Sequence, residues 1–344
     1  NPPRMLGEGY TLALGAGVTL QDMEFVQFYP LGLAEPKKHP FLITPRLADL
    51  GRLYNDQGED IQDKYGITER PAAERARDRL SLALFNEIQQ EKGIVWLDLR
   101  GVSEEEWKGD PFSASTLERL GKRYGALYRP IGVAPMTHHC MGGVLVDIQG
   151  ATSVPGVFAA GEVTGGLHGA NRLGGNALTE ALVFGVRVGE AAAAWAKDNA
   201  GGHRPPLPVD GDSGISGNKP RKSDANPAKL LGELRRILWE EGGIHRTKQG
   251  LIRALEKVKT LQIEAIEMSH GTEARAVQQT LELRLGLRTA VLILEGALKR
   301  EESRGAHFRE DFPQQDDEKW RGHLQVRLSP QGERIWGFQP VEGN

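Results

Sequence analysis

The chain is poor in cysteine, in long apolar runs and in surplus charge of either sign. Its one cysteine among 344 residues is Cys140, so it has no internal disulfide and cannot by itself hold a cysteine-ligated iron–sulfur cluster. If the protein transfers electrons, its redox centre is therefore an organic cofactor or lies on a partner. No uncharged apolar run approaches the roughly 20 residues that cross a membrane, so no transmembrane segment is predicted.

Charge and composition narrow the class of protein further. The 43 Lys and Arg residues nearly balance 46 Asp and Glu residues, which gives no electrostatic footprint for nucleic acid. With 39% hydrophobic residues the chain is of the globular type, and at about 150 residues per domain it predicts two or three domains. The first residues carry neither a signal peptide nor an initiator Met, so we expect a cytoplasmic protein whose chain starts inside a longer polypeptide.

The first half of the chain mixes short strands with one long helix. Apolar residues alternate with polar ones or run together in segments typical of strands, and helical spacing of small and apolar residues predicts a helix over about 73–90. The predicted strands are 23–28, 41–44, 94–99, 142–147 and 157–161.

The second half is dominated by helices. A long helix is predicted from about Ala177 to Lys197, with Asn176 as a plausible N-cap. Beyond a Gly-, Pro- and Ser-rich linker, apolar residues recur every three or four positions and predict an antiparallel bundle. Its helices are expected at 227–241, 247–268 and 273–303, and Gly305 is expected to stop the last one.

The strongest site pattern is a predicted strand that ends in small residues and Glu162, followed by a glycine-dense loop and the start of the long helix. Small residues let a flat or phosphorylated ligand approach the backbone, and a helix N-terminus favours negative charge. A carboxylate at a strand end can accept hydrogen bonds from ribityl or ribose hydroxyls. The same pattern also fits a tight α/β turn with a salt-bridged Glu162.

Three further patterns have both a functional and a structural interpretation. His138 of the adjacent pair His138-His139 could reach a site, although such a pair is more often structural and is a poor metal site. Arg172, between glycine-rich turns, could clamp a carboxylate or pair with a local acid. The dense opposite charges of 301–313 are typical of a salt-bridged structural corner.

Together these motifs resemble the flavoprotein subunits of succinate dehydrogenase and fumarate reductase, a family that also includes L-aspartate oxidase. The matching stretches occur in the family's order and run nearly end to end. They are Gly7-Glu8-Gly9, 22–28, 41–44, 138–143, 159–162, 168–178, Arg246-Thr247 and 302–313.

The resemblance implies FAD as the cofactor and a small carboxylate as the substrate. By position, Glu162 would contact the ribityl or ribose region of FAD, while Asn176, Ala177 and Leu178 would contact the flavin. The residues that would hold the substrate dicarboxylate are Thr44, His138 and Arg172. The implied reaction is hydride exchange between flavin N5 and the carbon skeleton of succinate or fumarate.

The chain also departs from the family's pattern. Tyr29 stands where the family has His, Pro45 where it has Glu, and Leu82 at the position expected for its proton-transferring Arg. Arg77 and Arg79 are predicted to lie off that helix face. Because leucine cannot carry a proton, we expect an altered substrate choice. Two alternatives stay open: an FAD electron-relay subunit of a redox complex, and a non-catalytic remnant or scaffold.

A fourth departure concerns domain organisation. The Gly-x-Gly-x-x-Gly turn that binds the FAD pyrophosphate in the family does not occur here, so a missing segment or a separate chain is expected to supply that N-terminal half. An iron–sulfur or thiol redox subunit is a second expected partner, and it could bring this cytoplasmic chain to the inner face of a membrane. The predicted fold class is α/β: a partial Rossmann-like FAD-binding domain (1–28 and 131–200), an inserted α+β capping domain (29–130), a linker (201–226), a C-terminal helical bundle (227–312) and a tail (313–344).

Overall fold

The computed structural model describes residues 5–36, 41–89, 91–200, 226–268 and 274–341. The helices are α1 (Glu8–Gly15), α2 (Leu47–Leu50), α3 (Ile61–Lys64), α4 (Ala72–Arg75), α5 (Arg77–Gln89), α6 (Glu104–Lys108), α7 (Pro111–Tyr124), α8 (Asn176–Asp198), α9 (Pro227–Glu241), α10 (Lys248–Glu267), α11 (Ala274–Lys299) and α12 (Asp317–Trp320). The strands are β1 (Leu20–Gln21), β2 (Val26–Glu35), β3 (Arg52–Tyr54), β4 (Val95–Asp98), β5 (Ile131–Cys140), β6 (Gly143–Val144), β7 (His245–Arg246), β8 (Phe308–Arg309), β9 (Gly322–Leu328) and β10 (Arg334–Pro340). None of the described helices combines the length and apolarity needed to cross a bilayer.

The chain divides into two compact units, one of residues 1–26 with 140–344 and one of residues 27–139. The smaller unit is built on a four-stranded sheet in the order β2-β5-β4-β3. The first eight residues of β2 are buried, so both of its faces are covered. α5 contributes Leu80, Ala83 and Leu84 to the core of this unit.

The larger unit joins a second four-stranded sheet, in the order β10-β9-β1-β6, to a helical bundle. Helices α9, α10 and α11 bury a shared apolar face that includes Leu234, Leu251, Val258 and Leu287, each of which contributes about 1.5–3 kcal/mol when fully buried. α10 begins at a Thr247 cap, whose side chain accepts a hydrogen bond from the Gly250 amide. The spacing of apolar residues therefore predicts these three helices correctly.

Two of the predicted strands in this unit are reduced to short pairings. Only Gly143–Val144 of the segment 142–147 is a strand, and segment 157–161 makes a single bridge between Phe158 and Ala151. A strand is defined by its neighbours, and in the part of the chain that the structure describes these segments have little to pair with. The apolar pattern alone did not reveal that.

Segment 301–313 forms the salt-bridged corner that its charges predict. Arg309 within this segment and Arg246 and Arg300 outside it are all fully buried. Arg300 pairs with Glu24 at 2.6 Å and with Glu302 at 2.9 Å, and both carboxylates are also fully buried. Burial raises the pKa of Glu24 even though the positive charge of Arg300 acts in the opposite direction. Each of these charges is therefore tolerated in the interior only through its partners.

His307 at the centre of this corner should make folding sensitive to acid. Its Nδ1 lies 2.7 Å from Arg246 Nη1, and burial together with that positive charge places the pKa of His307 well below its ordinary value. The unfolded chain takes up a proton near pH 6.5 and the folded chain does not, so stability falls as the pH drops below about 6.5. We expect a loss of about 2 kcal/mol between pH 7.5 and pH 5.0 from this residue.

Urea unfolding at the two pH values measures this loss, and His307→Gln should remove that share of the pH dependence. His323 acts in the opposite direction, because its hydrogen bond to Asp22 raises its pKa. Its contribution is present at low pH and is lost as the pH rises. An unchanged pH dependence in His307→Gln would show that another group carries the effect.

Candidate functional site

The start of α8 and the glycine loop before it form an open edge of the larger unit. The N-cap of α8 is Gly175, whose φ of 83° is a conformation that favours glycine. A Cβ on Gly175 would meet nothing within 4 Å, so the space beside the helix start is free. Leu178 in the first turn is 77% exposed. This edge combines a positive helix end with room for a flat ligand, as the sequence predicts.

Glu162 lies at the border of this edge and is held by its neighbours. The amide of Cys140 donates a hydrogen bond to Glu162 Oε1 at 3.1 Å, and the Tyr10 hydroxyl donates to the Glu162 carbonyl at 3.2 Å. Burial, reinforced by the nearby negative charge of Glu162, raises the pKa of the Cys140 thiol to about 12. Cys140 therefore stays protonated at neutral pH, and the site does not present it as a nucleophile.

A group of three polar side chains ties the glycine loop to α8. His168 Nε2 lies 2.9 Å from Glu180 Oε2, and the Thr164 hydroxyl donates to Glu180 Oε1 at 3.0 Å. The side chains of His168 and Glu180 are almost completely buried. Because Glu180 is on the second turn of α8, these contacts fix the loop relative to the helix start.

Arg172 lies in the same loop, four residues before α8 begins. Its side chain is buried, with 6% of the residue exposed, and Nη1 donates to the Leu173 carbonyl at 3.2 Å. A guanidinium held out of water by its loop is suited to bidentate binding of a carboxylate. The structure thus brings Arg172 together with Glu162, Asn176, Ala177 and Leu178 in one unit.

The other two predicted substrate residues, Thr44 and His138, belong to the smaller unit. Tyr29 lies near both segments, because its ring centroid is 5.2 Å from that of His138 and its hydroxyl donates to the carbonyl of Ile43, the residue before Thr44, at 2.5 Å. The Thr44 hydroxyl lies 3.5 Å from that of Ser113. Burial raises the pKa of Tyr29, so its hydroxyl stays protonated and donates its hydrogen bond within the protein.

Arg77 is the residue of this region that sequence reasoning missed. The sequence pattern places it only off the helix face of Leu82 and gives it no role. In the structure it is buried, and its guanidinium carbon lies 5.4 Å from the centre of the Tyr29 ring. Its Nη1 donates to Gln27 Oε1 at 3.1 Å. The signal was present, because Arg77 precedes the buried Leu80 and Leu84 by three and seven residues and so shares their stripe on α5.

The residues present at the edge of the larger unit fit a flavin cofactor. The glycines leave space against the backbone, the α8 start supplies a positive dipole end, and Glu162 supplies acceptor oxygens for hydroxyl groups. A reduced flavin carries negative charge, which the α8 terminus favours. These are features of the chain itself and do not depend on any relative.

Comparison with known proteins agrees with this assignment. Residues 1–178 match the family described as FAD binding domain, and residues 232–343 match the family described as fumarate reductase flavoprotein C-term. The fold is similar to that of Escherichia coli quinol–fumarate reductase, with a TM-score of 0.84 and 30% identity over 98% of this chain and 62% of that one.

Similar sequences include enzymes that are named for different activities. A fumarate reductase (CoM/CoB) subunit from Methanothermobacter marburgensis is 36% identical over 94% of this chain and 60% of its own length. An L-aspartate oxidase from Nostoc is 31% identical over 95% of this chain and 59% of its own length. The chain thus spans about 60% of the length of these curated relatives. It belongs to the FAD-containing flavoprotein family of fumarate reductase, succinate dehydrogenase and L-aspartate oxidase.

Proposed function

We propose that the protein is an FAD-dependent oxidoreductase that exchanges a hydride with a carboxylate-bearing substrate other than succinate or fumarate. The observation that carries the proposal is the open space beside Gly175 at the start of α8, in the same unit as Glu162 and the buried Arg172. Bound FAD would supply hydride chemistry at flavin N5.

The chain's own residues would bind and orient the substrate. Arg172 would bind a substrate carboxylate through its planar guanidinium, and Thr44 and His138 are the residues proposed to donate hydrogen bonds to the substrate. Polarising the carboxylates draws electron density from the carbon that accepts the hydride. The reaction also needs a proton for the neighbouring carbon, and a basic side chain has to deliver it.

The substrate-facing side of the smaller unit supports a changed substrate choice. Tyr29, at the family's histidine position, commits its hydroxyl proton to Ile43 and brings no positive charge. Pro45 and Leu82 likewise offer no ionisable group. Arg77 keeps one buried cation beside Tyr29, so carboxylate chemistry stays available on this side. The expected substrate is a carboxylate whose second end needs fewer charged contacts than a dicarboxylate does.

Stopped-flow reoxidation of the reduced, FAD-loaded complete protein tests this proposal. Fumarate should give no reoxidation above the oxygen background, whereas a panel of unsaturated monocarboxylates should contain a substrate. Leu82→Arg should create activity toward fumarate if the rest of the pocket is intact, and Leu82→Gln is the matched control without charge. Rapid reoxidation by fumarate in the unsubstituted protein would contradict the proposed substrate change.

A second candidate is an electron-relay subunit, in which a partner reduces or oxidises the FAD. The observation in its favour is that similar proteins are named as subunits. One of them is named as a subunit of a fumarate reductase (CoM/CoB). A thiol or iron–sulfur protein would then be the partner. If no carboxylate reoxidises the flavin and a co-purifying protein reduces it, this candidate is favoured.

The exposed side of α8 supports a polypeptide partner that completes the FAD domain. Beyond the first turn, Leu182 and Val186 lie four residues apart on one face and are 73% and 65% exposed. Apolar stripes of this kind are normally covered in a soluble protein. We infer that a polypeptide segment outside the described residues covers this stripe and binds the FAD pyrophosphate. The assembled protein is then expected in the cytoplasm.

The 344-residue chain alone is therefore expected to lose FAD. The pyrophosphate of FAD would have no binding site on this chain alone, so the cofactor would bind weakly. Gel filtration after mixing with FAD should therefore yield a colourless protein. Co-expression with a polypeptide that carries the Gly-x-Gly-x-x-Gly turn should restore the visible flavin absorbance. Stoichiometric flavin on the chain alone would contradict the need for that polypeptide.

A further inference from the structure

The salt-bridged corner of the larger unit touches the glycine loop directly at Ala170. The Ala306 amide donates a hydrogen bond to the Ala170 carbonyl at 2.9 Å. Gly305, with φ of 55°, lies so close that a Cβ there would be 2.6 Å from the carbonyl carbon of Ala170 and 2.8 Å from its Cβ. Ala170 is two residues from Arg172. The sequence predicts Gly305 as a helix stop, but α11 ends at Lys299 and this close approach is what requires the glycine.

The turn that contacts Ala170 is held in place by hydrogen bonds within the turn and to buried arginines. Arg304 and His307 exchange two backbone hydrogen bonds of 2.8 and 2.9 Å, which close the turn around Gly305. The His307 ring is fixed between Arg246 Nη1 at 2.7 Å and the Arg300 carbonyl at 3.2 Å. Because arginine only donates, Nδ1 of His307 accepts and Nε2 carries the proton. The turn therefore has little freedom to move away from Ala170.

The same support reaches the other side of the candidate site. Arg246 Nη1 also donates to the Glu24 carbonyl at 2.8 Å. The next residue, Phe25, accepts a hydrogen bond from the Met141 amide at 2.9 Å, beside Cys140 and its contact with Glu162. One buried group of side chains thus supports both the Arg172 loop and the strand end that holds Glu162.

We propose that the turn Arg304–His307 positions Arg172, with Gly305 as the residue that allows the close contact. This inference rests on the proposed role of Arg172 in binding the substrate carboxylate. A Cβ at position 305 cannot be accommodated unless Ala170 or the turn moves by about an ångström, and a displacement of that size at a binding group can cost about 100-fold in rate. Gly305 is a positioning residue, since it acts through the loop.

The test compares Gly305→Asn with Gly332→Asn in the complete FAD-loaded protein. Asparagine tolerates positive φ, so the strain is similar at both sites, but Gly332 in the β9–β10 turn has φ of 81° and open space around it. One readout is amide hydrogen exchange of residues 165–175. The other is the dissociation constant for succinate, followed by the flavin spectrum.

Gly305→Asn is expected to speed exchange in 165–175 at least ten-fold and to weaken succinate binding at least ten-fold. Gly332→Asn should change neither, and both variants should unfold at similar urea concentrations. Unchanged exchange of 165–175 in Gly305→Asn would overturn the inference. So would an equal increase in exchange over the whole chain, because that would mean a general loss of stability.

A second measurement needs no variant. By reciprocity, if the turn positions Arg172 for a carboxylate, succinate binding must in return stabilise the turn and slow exchange of residues 304–308. No change at saturating succinate would overturn the inference. If the unsubstituted protein binds no succinate, the exchange of residues 165–175 in Gly305→Asn still decides whether the turn holds the loop.

Discussion

Replacement of Arg300 by Met should lower the free energy of unfolding by about 3–5 kcal/mol. Arg300 is fully buried and pairs with Glu24 and Glu302, which are also fully buried. Methionine fills much of the same volume but leaves Glu24 as a carboxylate without its partner in an apolar surrounding. Urea unfolding of the complete protein, followed by circular dichroism, measures the change.

Arg253→Met is the matched control for this prediction. Arg253 also pairs with a glutamate, Glu241, at 2.8 Å, but its side chain is 54% exposed, so we expect a loss below about 1 kcal/mol. Adding Glu24→Gln to Arg300→Met should recover part of the loss, because it removes the unpaired charge. Equal effects of Arg300→Met and Arg253→Met would show that burial does not decide the strength of these pairs.

Replacement of Arg172 by Gln should lower kcat/KM for the carboxylate substrate by about 10²–10³-fold in the FAD-loaded protein. The guanidinium is buried in the glycine loop, where a lost charge is not replaced by water. Arg172→Lys should recover little of the activity, since lysine keeps the charge but not the planar pair of donors. Steady-state kinetics and the flavin content of each variant are the measurements.

Arg187→Gln provides the control, because Arg187 is an exposed arginine of α8 outside the candidate site. It should leave both kcat/KM and flavin content unchanged. A loss of flavin in Arg172→Gln would place this residue on the cofactor, and unchanged kinetics would remove it from substrate binding.

The helices of this protein could be predicted from sequence far better than its strands. Apolar residues at helical spacing define α9, α10 and α11, because a bundle buries one face of each helix and exposes the other. β2 illustrates the opposite case. A strand was predicted over 23–28, whereas β2 runs from Val26 to Glu35, and a strand buried on both faces shows no alternation that would mark its ends.

The candidate site was predictable where a motif is local in sequence and not where it depends on packing. Glu162, Arg172 and the start of α8 lie within 20 residues, so their glycine-rich pattern identifies them together. Other features depend on contacts between segments that are distant in sequence. They are the hydrogen bond from the Tyr29 hydroxyl to Ile43, the burial of Arg77 and the contact of Gly305 with Ala170. No local pattern encodes the partners in such contacts, and the spacing that places Arg77 on the buried stripe of Leu80 and Leu84 was not used.

The central claim is that a flavin ring lies against the start of α8, and thiol protection at position 178 tests it most directly. The native background is low, because the Cys140 thiol has a pKa of about 12 and reacts slowly near neutral pH. Leu178→Cys places a thiol at an exposed position of the first turn, and Ile335→Cys places one on β10, at 42% exposure, as the control. Alkylation of the complete protein is followed with and without FAD.

FAD should slow alkylation at position 178 at least ten-fold and leave position 335 unaffected, because the ring would cover the first turn of α8. The absorbance of the FAD-treated sample shows that it holds the cofactor. If position 178 is nevertheless alkylated at the same rate as in the FAD-free sample, the flavin lies elsewhere and the account is contradicted.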